Sequence, residues 1–232
     1  MVVREEAREY VGCVSLVPIF NHLDRKSMAK IAQKTRPKNL KRGEYLYRAA
    51  DEDHSIYIVH QGQVRIFHLS EGGREQLIRV LNPGDFTGEW TIFSKDTYHE
   101  HYAQATRKTS VCEITRNDLL ELLHDYPDIS MELLATMSTR LQQSEKQTAS
   151  VATEQVMDRI IYYLEDLASF ATEDEVTVKL PMTRKDLASY LGTTPETLSR
   201  RFKELEDDHL IEQLPKNTIH ISSMEELLFA AE

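Results

Sequence analysis

The sequence predicts an α+β protein in three parts: an antiparallel β roll or sandwich, one long helix, and a winged helix-turn-helix. Three observations carry this. Between Leu40 and Ile114 short apolar runs are separated by turn residues, and from Leu134 to Val151 a seam recurs at steps of three and four. From Thr183 to Lys203 two capped helical stretches meet at Gly192. The boundaries that follow are residues 1–125 for a roll with an N-terminal arm, 126–152 for the long helix and 153–232 for the winged helix.

Ahead of the β region, Leu23, Met28 and Ile31 have helical spacing, and Asp24 stands in N-cap position. Ser55–Val59 then ends at Gln61-Gly62, Val64–Phe67 at Glu71-Gly72-Gly73, and Gln76–Leu81 at Asn82-Pro83-Gly84-Asp85. Period-two runs with turn chemistry between them are the pattern of an antiparallel β domain.

After Ile114 the period becomes helical. Leu134, Met137, Leu141, Ser144, Thr148 and Val151 form one narrow seam, with Gln142, Gln143, Glu145 and Lys146 on other faces. A long helix with one such seam is suited to pairing with its own copy, so these six residues are the expected homodimer interface. A second helix, about Thr153 to Phe170, carries Val156, Ile160, Ile161 and Leu164, and the acidic Thr172–Glu175 reads as a connector.

The C-terminal part has the most specific local grammar. Thr183 can cap one helix, with Asp186 three residues on, and Gly192 closes that helix. Thr194 caps the next, and Pro195 takes its first position, where a missing N–H costs nothing. Leu187, Leu191 and Leu198 supply a shared core, with small Ala188 at the crossing. Glu196, Thr197, Ser199, Arg200 and Lys203 are left for an outer face. In a DNA major groove, arginine can donate to both acceptors of guanine, glutamate can accept from a cytosine amine, and serine can serve a base or a phosphate. Asp208–Ile221 reads as a two-strand wing with a turn near Pro215–Asn217, where Lys216 can meet a phosphate. Double-stranded DNA is the expected partner, with Thr183 and Thr194 among the residues that bind it.

At 232 residues, with 41% hydrophobic and 28% charged residues, the chain fits two modest folded domains and not a disordered one. The net charge of −10 opposes nucleic acid globally, yet Lys179–Ile221 is balanced. Lys179, Arg184, Lys185, Arg200, Arg201, Lys203 and Lys216 face Asp186, Glu196, Glu204, Glu206, Asp207, Asp208 and Glu212, so a local basic face can form. The charged N-terminus carries no signal-peptide pattern and no stretch is long and apolar enough to span a bilayer, which predicts a cytoplasmic protein without a membrane partner.

This order of parts resembles the CRP/FNR superfamily of bacterial transcription regulators over about Cys13 to Ile221. Arg42-Gly43-Glu44-Tyr45-Leu46, Gln61-Gly62-Gln63-Val64 and Gly84-Asp85-Phe86-Thr87-Gly88-Glu89 look like the family's β-roll signature, with Ala50 where a glycine is usual. The resemblance implies a cyclic-nucleotide-binding-like roll, a dimerisation helix and a winged helix, with RNA polymerase as a further partner. In the cyclic-AMP branch an Arg-Ser pair after the cassette glutamate holds the cyclic phosphate. Glu89 matches the glutamate, but the pair falls on His99-Glu100, whose carboxylate repels a phosphate, so cyclic AMP is not the expected effector. Glu196, Ser199 and Arg200 form Glu-x-x-Ser-Arg, similar to the FNR type, which implies inverted half-sites of the TTGAT kind.

The FNR oxygen sensor uses four cysteines for an iron–sulfur cluster, and this chain has two, Cys13 and Cys112. That pattern looks like the FNR-like proteins of lactic acid bacteria, where a dithiol is the redox switch. Three readings of the pair stand open: a reversible disulfide, two inert thiols, or a metal site shared with His99 and His101 on one strand face. No metal and no other cofactor is expected. The leading reading is a redox-responsive DNA-binding regulator; the alternative is a sensor of another small effector with incidental cysteines. No P-loop, Gly-x-Ser-x-Gly or His-Glu-x-x-His motif occurs, so neither catalytic residues nor an enzyme are expected.

Overall fold

The computed structural model describes residues 17–95, 97–168 and 174–231. The chain divides between Arg140 and Leu141 into two compact units.

The first unit opens with two short helices, α1 (Pro18–Asn21) and α2 (Arg25–Gln33). Asp24 caps α2 as its sequence position predicts, its carboxylate accepting from the Ser27 N–H at 2.8 Å. The strands are β1 (Arg36–Leu40), β2 (Tyr45–Tyr47), β3 (Ser55–Gln61), β4 (Val64–Leu69), β5 (Glu75–Leu81), β6 (Phe86–Thr87), β7 (Tyr102–Ala105) and β8 (Thr109–Thr115). They form two antiparallel four-stranded sheets, β1-β8-β3-β6 and β2-β7-β4-β5. Helix α3 (Glu89–Phe93) follows β6, and α4 (Arg116–Asp125) and α5 (Pro127–Thr153) follow β8. Pro37 sits in β1, which among the described residues pairs with β8 alone; an edge strand tolerates the missing donor.

The run Ile56-Tyr57-Ile58-Val59 is apolar at every position because β3 is covered on both faces. Ile56 and Ile58 join Phe86, Cys112, Ile114, Leu119, Ile129 and Leu133 in one core, while Tyr57 and Val59 join Leu46, Val64, Ile66, Ala103 and Val111 in another. The period of two is real, but it alternates between two cores, not between core and water. Close packing also explains Gly88, whose φ is +95° and where a Cβ would run into the Ser55 carbonyl oxygen.

One of the three readings of the cysteine pair rests on His99 and His101 sharing a strand face. His99 and His101 do not share a strand face, because β7 begins only at Tyr102 and the chain before it makes only a single bridge, between Glu52 and Tyr98, among the described residues. His99 turns inward to stack on Tyr47, with ring centroids 3.5 Å apart, whereas His101 lies edge-on to His68. Among the described residues no three His, Cys, Asp or Glu side chains gather as a metal site needs.

The second unit contains the rest of α5, then α6 (Val156–Ala168), β9 (Val176–Lys179), α7 (Arg184–Tyr190), α8 (Pro195–Asp207), β10 (Ile211–Leu214), β11 (Thr218–Ile221) and α9 (Met224–Phe229). Ile160, Ile161 and Leu164 of α6 build its core with Leu187, Leu198, Phe202, Ile211, Ile219 and Leu227. The wing is larger than the two strands predicted: β9 pairs with β11, giving a sheet in the order β10-β11-β9. Helix α9 was also missed, although Ser223 and Glu226 hold capping-box positions and the Glu226 N–H reaches the Ser223 hydroxyl at 3.2 Å. No described helix is long and apolar enough to cross a membrane.

Candidate nucleic-acid interface

Helices α7 and α8 owe their ends to side chains. Thr183 Oγ1 accepts from the Asp186 N–H at 3.1 Å and donates to the Asp186 carboxylate at 2.7 Å. Thr194 Oγ1 accepts from the Thr197 N–H at 3.2 Å, with Pro195 in the first turn. Between them Gly192 adopts φ +66°, and a Cβ there would meet Val151 Cγ1 at 3.1 Å. The turn is therefore reserved for glycine by conformation and by space.

This local grammar sets which face of α8 is free. Leu198, Phe202 and Leu205 are buried at steps of four and three, which leaves Glu196, Ser199, Arg200 and Lys203 exposed together. Thr197, half-buried, is tied to Thr194 through their hydroxyls at 3.2 Å. Hydrogen bonds from its own backbone N–H and from Thr194 hold the Glu196 carboxyl below the usual carboxylate range, so it stands as an ionised acceptor. Arg200 keeps 65% of its side chain exposed and approaches Glu204 only at 3.9 Å; Glu204 is taken instead by Arg201 at 2.6 Å. An exposed pair of that length is weak and easily exchanged for another acceptor.

The wing is fixed to the same unit. Gln213 donates its N–H to Glu206 at 2.9 Å, and the Arg184 guanidinium lies 4.0 Å over the Phe202 ring while donating to Gln213 at 3.2 Å. Arg184, counted in the sequence only as one base among seven, thus joins α7, α8 and β10. Lys216 and Asn217 both take positive φ, +62° and +59°, and Asn217 donates to the Met182 carbonyl at 3.2 Å. Lys216 is left exposed at the tip.

On α5 the seam is uneven. Leu134 and Leu141 are 62% and 61% exposed, and Ser144, Thr148 and Val151 are also exposed. Met137 is half-buried against the roll's own core, and Met131, not foreseen, extends the exposed apolar row at 67%.

In the roll, Cys112 is 2% exposed within β8 and is disulfide-bonded. Cys13, the chain's only other cysteine, lies outside the described residues. Glu89 accepts from Arg79 at 2.7 Å and from Arg140 at 2.8 Å, both on Oε1. Arg140 also donates to the Phe86 carbonyl at 2.8 Å and covers the Phe86 ring at 4.2 Å. Nothing in the sequence marked Arg140, which stands between seam residues. His99 Nε2 faces the Asp53 carboxylate at 3.1 Å, and Tyr57 donates to the same oxygen at 2.7 Å. Burial alone would raise the Asp53 carboxyl, but the hydrogen bonds from His99 and Tyr57 outweigh it and hold it low.

Comparison with known proteins places these parts. Residues 37–126 match the cyclic nucleotide-binding domain and residues 158–229 the Crp-like helix-turn-helix domain. The chain is 36% identical over 208 residues to the probable transcriptional regulator flp of Lacticaseibacillus casei, covering 88% of this chain and 92% of that one. It is 31% identical over 206 residues to the transcriptional activator protein Anr of Pseudomonas protegens, with coverage of 85% and 82%. The solved structure of FixK2 from Bradyrhizobium japonicum shares the fold, with a TM-score of 0.71 at 24% identity over 85% of this chain and 97% of that one. The relatives at 31% and 36% identity are transcriptional regulators by name.

Proposed function

The chain belongs to the CRP/FNR family of transcriptional regulators, and from that premise we propose that it is a cytoplasmic, redox-responsive regulator that reads an inverted repeat as a homodimer. Glu196, Ser199 and Arg200 read base edges of TTGAT-type half-sites. Thr183, Thr194, Thr197, Lys203 and Lys216 hold the backbone, and the row from Leu134 to Val151 joins the two copies. RNA polymerase is the downstream partner. The switch is a disulfide between Cys112 and Cys13. Closing it sends two electrons and two protons from the thiols to an oxidant, and a dithiol reductant returns them.

The observation that carries the redox reading is that Cys112 is disulfide-bonded in a chain with one other cysteine. Cyclic AMP is not the effector in this reading. His99, in the place of a phosphate-binding arginine, is stacked on Tyr47 and faces the Asp53 carboxylate at 3.1 Å.

The test is the DNA affinity of wild type, Cys13→Ser and Cys112→Ser under oxidant and under dithiol. Wild type is expected to bind differently in the two conditions and both variants to bind alike in them. Variants that respond as wild type does would remove the switch and leave a regulator answering to some other effector.

A further inference from the structure

Cys112 belongs to an in-register row, Pro37, Cys112, Ile58 and Phe86, that crosses the four strands of its sheet. Ile58 in β3 is in register with Cys112 of β8 on one side and with Phe86 of β6 on the other. All three belong to one core, together with Ile129 and Leu133 of α5. Neighbouring strands stand ~5 Å apart, so same-face side chains in register pack directly on one another. At the far end Phe86 holds Arg140 of α5 through its carbonyl, at 2.8 Å, and beneath the guanidinium, at 4.2 Å. The second arm of that guanidinium goes to Glu89 at 2.8 Å, and Glu89 is fixed by Arg79 of β5 at 2.7 Å. The Arg140 side chain is only 15% exposed, so it is a fixed joint and not a surface pair.

We infer that Arg140 is the positioning residue through which the redox state of Cys112 is passed to the long helix. Interiors packed as densely as crystals do not absorb a shift at one side chain, and neighbours must move with it. Breaking the bond with a dithiol gives each cysteine sulfur one electron and one proton while the dithiol becomes a disulfide. Cys112 is then no longer tethered, and its adjustment reaches Phe86 through Ile58. The Phe86 carbonyl and ring carry the change to Arg140, and α5 continues from there to Thr153. This rests on the redox reading, and it names a polar joint between the sheet and α5 that can pass the signal on.

The test uses the full chain and an inverted-repeat duplex selected with wild type. The quantity read is the ratio of DNA affinities between reduced and oxidised protein, in wild type and in Arg140→Gln, with thiol labelling to confirm each state. The expected result is a ratio about fivefold or more smaller in Arg140→Gln, the lower end of a typical coupling between sites. An unchanged ratio in a cooperatively melting variant overturns the relay and leaves the switch itself standing. A wild-type ratio of one overturns both. Should Arg140→Gln fail to fold, hydrogen exchange over residues 133–140 of the wild type in the two redox states decides. Different protection supports the relay, and identical protection overturns it.

Discussion

Arg200 shows how one residue's neighbours set what it can do. Its contact to Glu204, a residue already taken by Arg201, is long, and its charged fork of donors is 65% exposed. Arg200→Ala is expected to weaken specific binding by ~1–3 kcal/mol and to relax selection at one base pair. Selection of sites from a random duplex library checks this, and an unaltered preference at every position counts against base contact. Ala50 is the reverse case, a residue working against its backbone. Its φ of +68° lies in the left-handed region, where a Cβ costs about 1–2 kcal/mol and glycine costs nothing. Ala50→Gly relieves that strain but frees the unfolded chain, so a net gain of about 0.5–1 kcal/mol is expected, read as a raised melting temperature.

Elements are decided by their ends. The Thr194 hydroxyl satisfies one of the free N–H groups of α8, and Thr194→Ala is expected to cost about 1 kcal/mol in stability. Helix α4 adds a pH dependence. The Thr115 hydroxyl, and after it Lys34, hold the Asp118 carboxyl below its ordinary value of 3.8. A carboxyl depressed by folding stabilises above its unfolded value, and that stabilisation is lost as pH falls through the folded value. Asp118→Asn is therefore expected to melt earlier than wild type at neutral pH, and the difference to close on acidification below 3.8. Caps of this kind were legible in the sequence at Asp24, Thr183 and Thr194, because a cap is a short-range signal. The same signal stood unread at Ser223, where α9 follows so closely on the wing that its six residues offered little periodicity.

For the whole molecule, Leu134 and Leu141 are exposed, and the proposed dimer sets them against a second copy. Leu134→Glu with Leu141→Glu places like charges along both copies of a self-complementary seam and is expected to shift the protein to monomer in sedimentation. Footprinting of wild type is expected to protect two half-sites on the order of 34 Å apart, and protection of a single half-site counts against the dimer.

The order of parts, the helix-turn-helix with its caps and glycine, and the outer face of α8 follow from local sequence. Each of these depends on residues within one or two turns of each other, where spacing alone fixes geometry. Only the tertiary structure decided that β3 alternates between two cores, that His99 turns inward onto Tyr47, that β9 joins the wing, and that Arg140 closes on Glu89 and Phe86. Several of those contacts join residues far apart in the chain, 39 positions for Thr218 and Lys179 in the wing and 54 for Arg140 and Phe86, and no local period records which distant side chain a fold brings alongside.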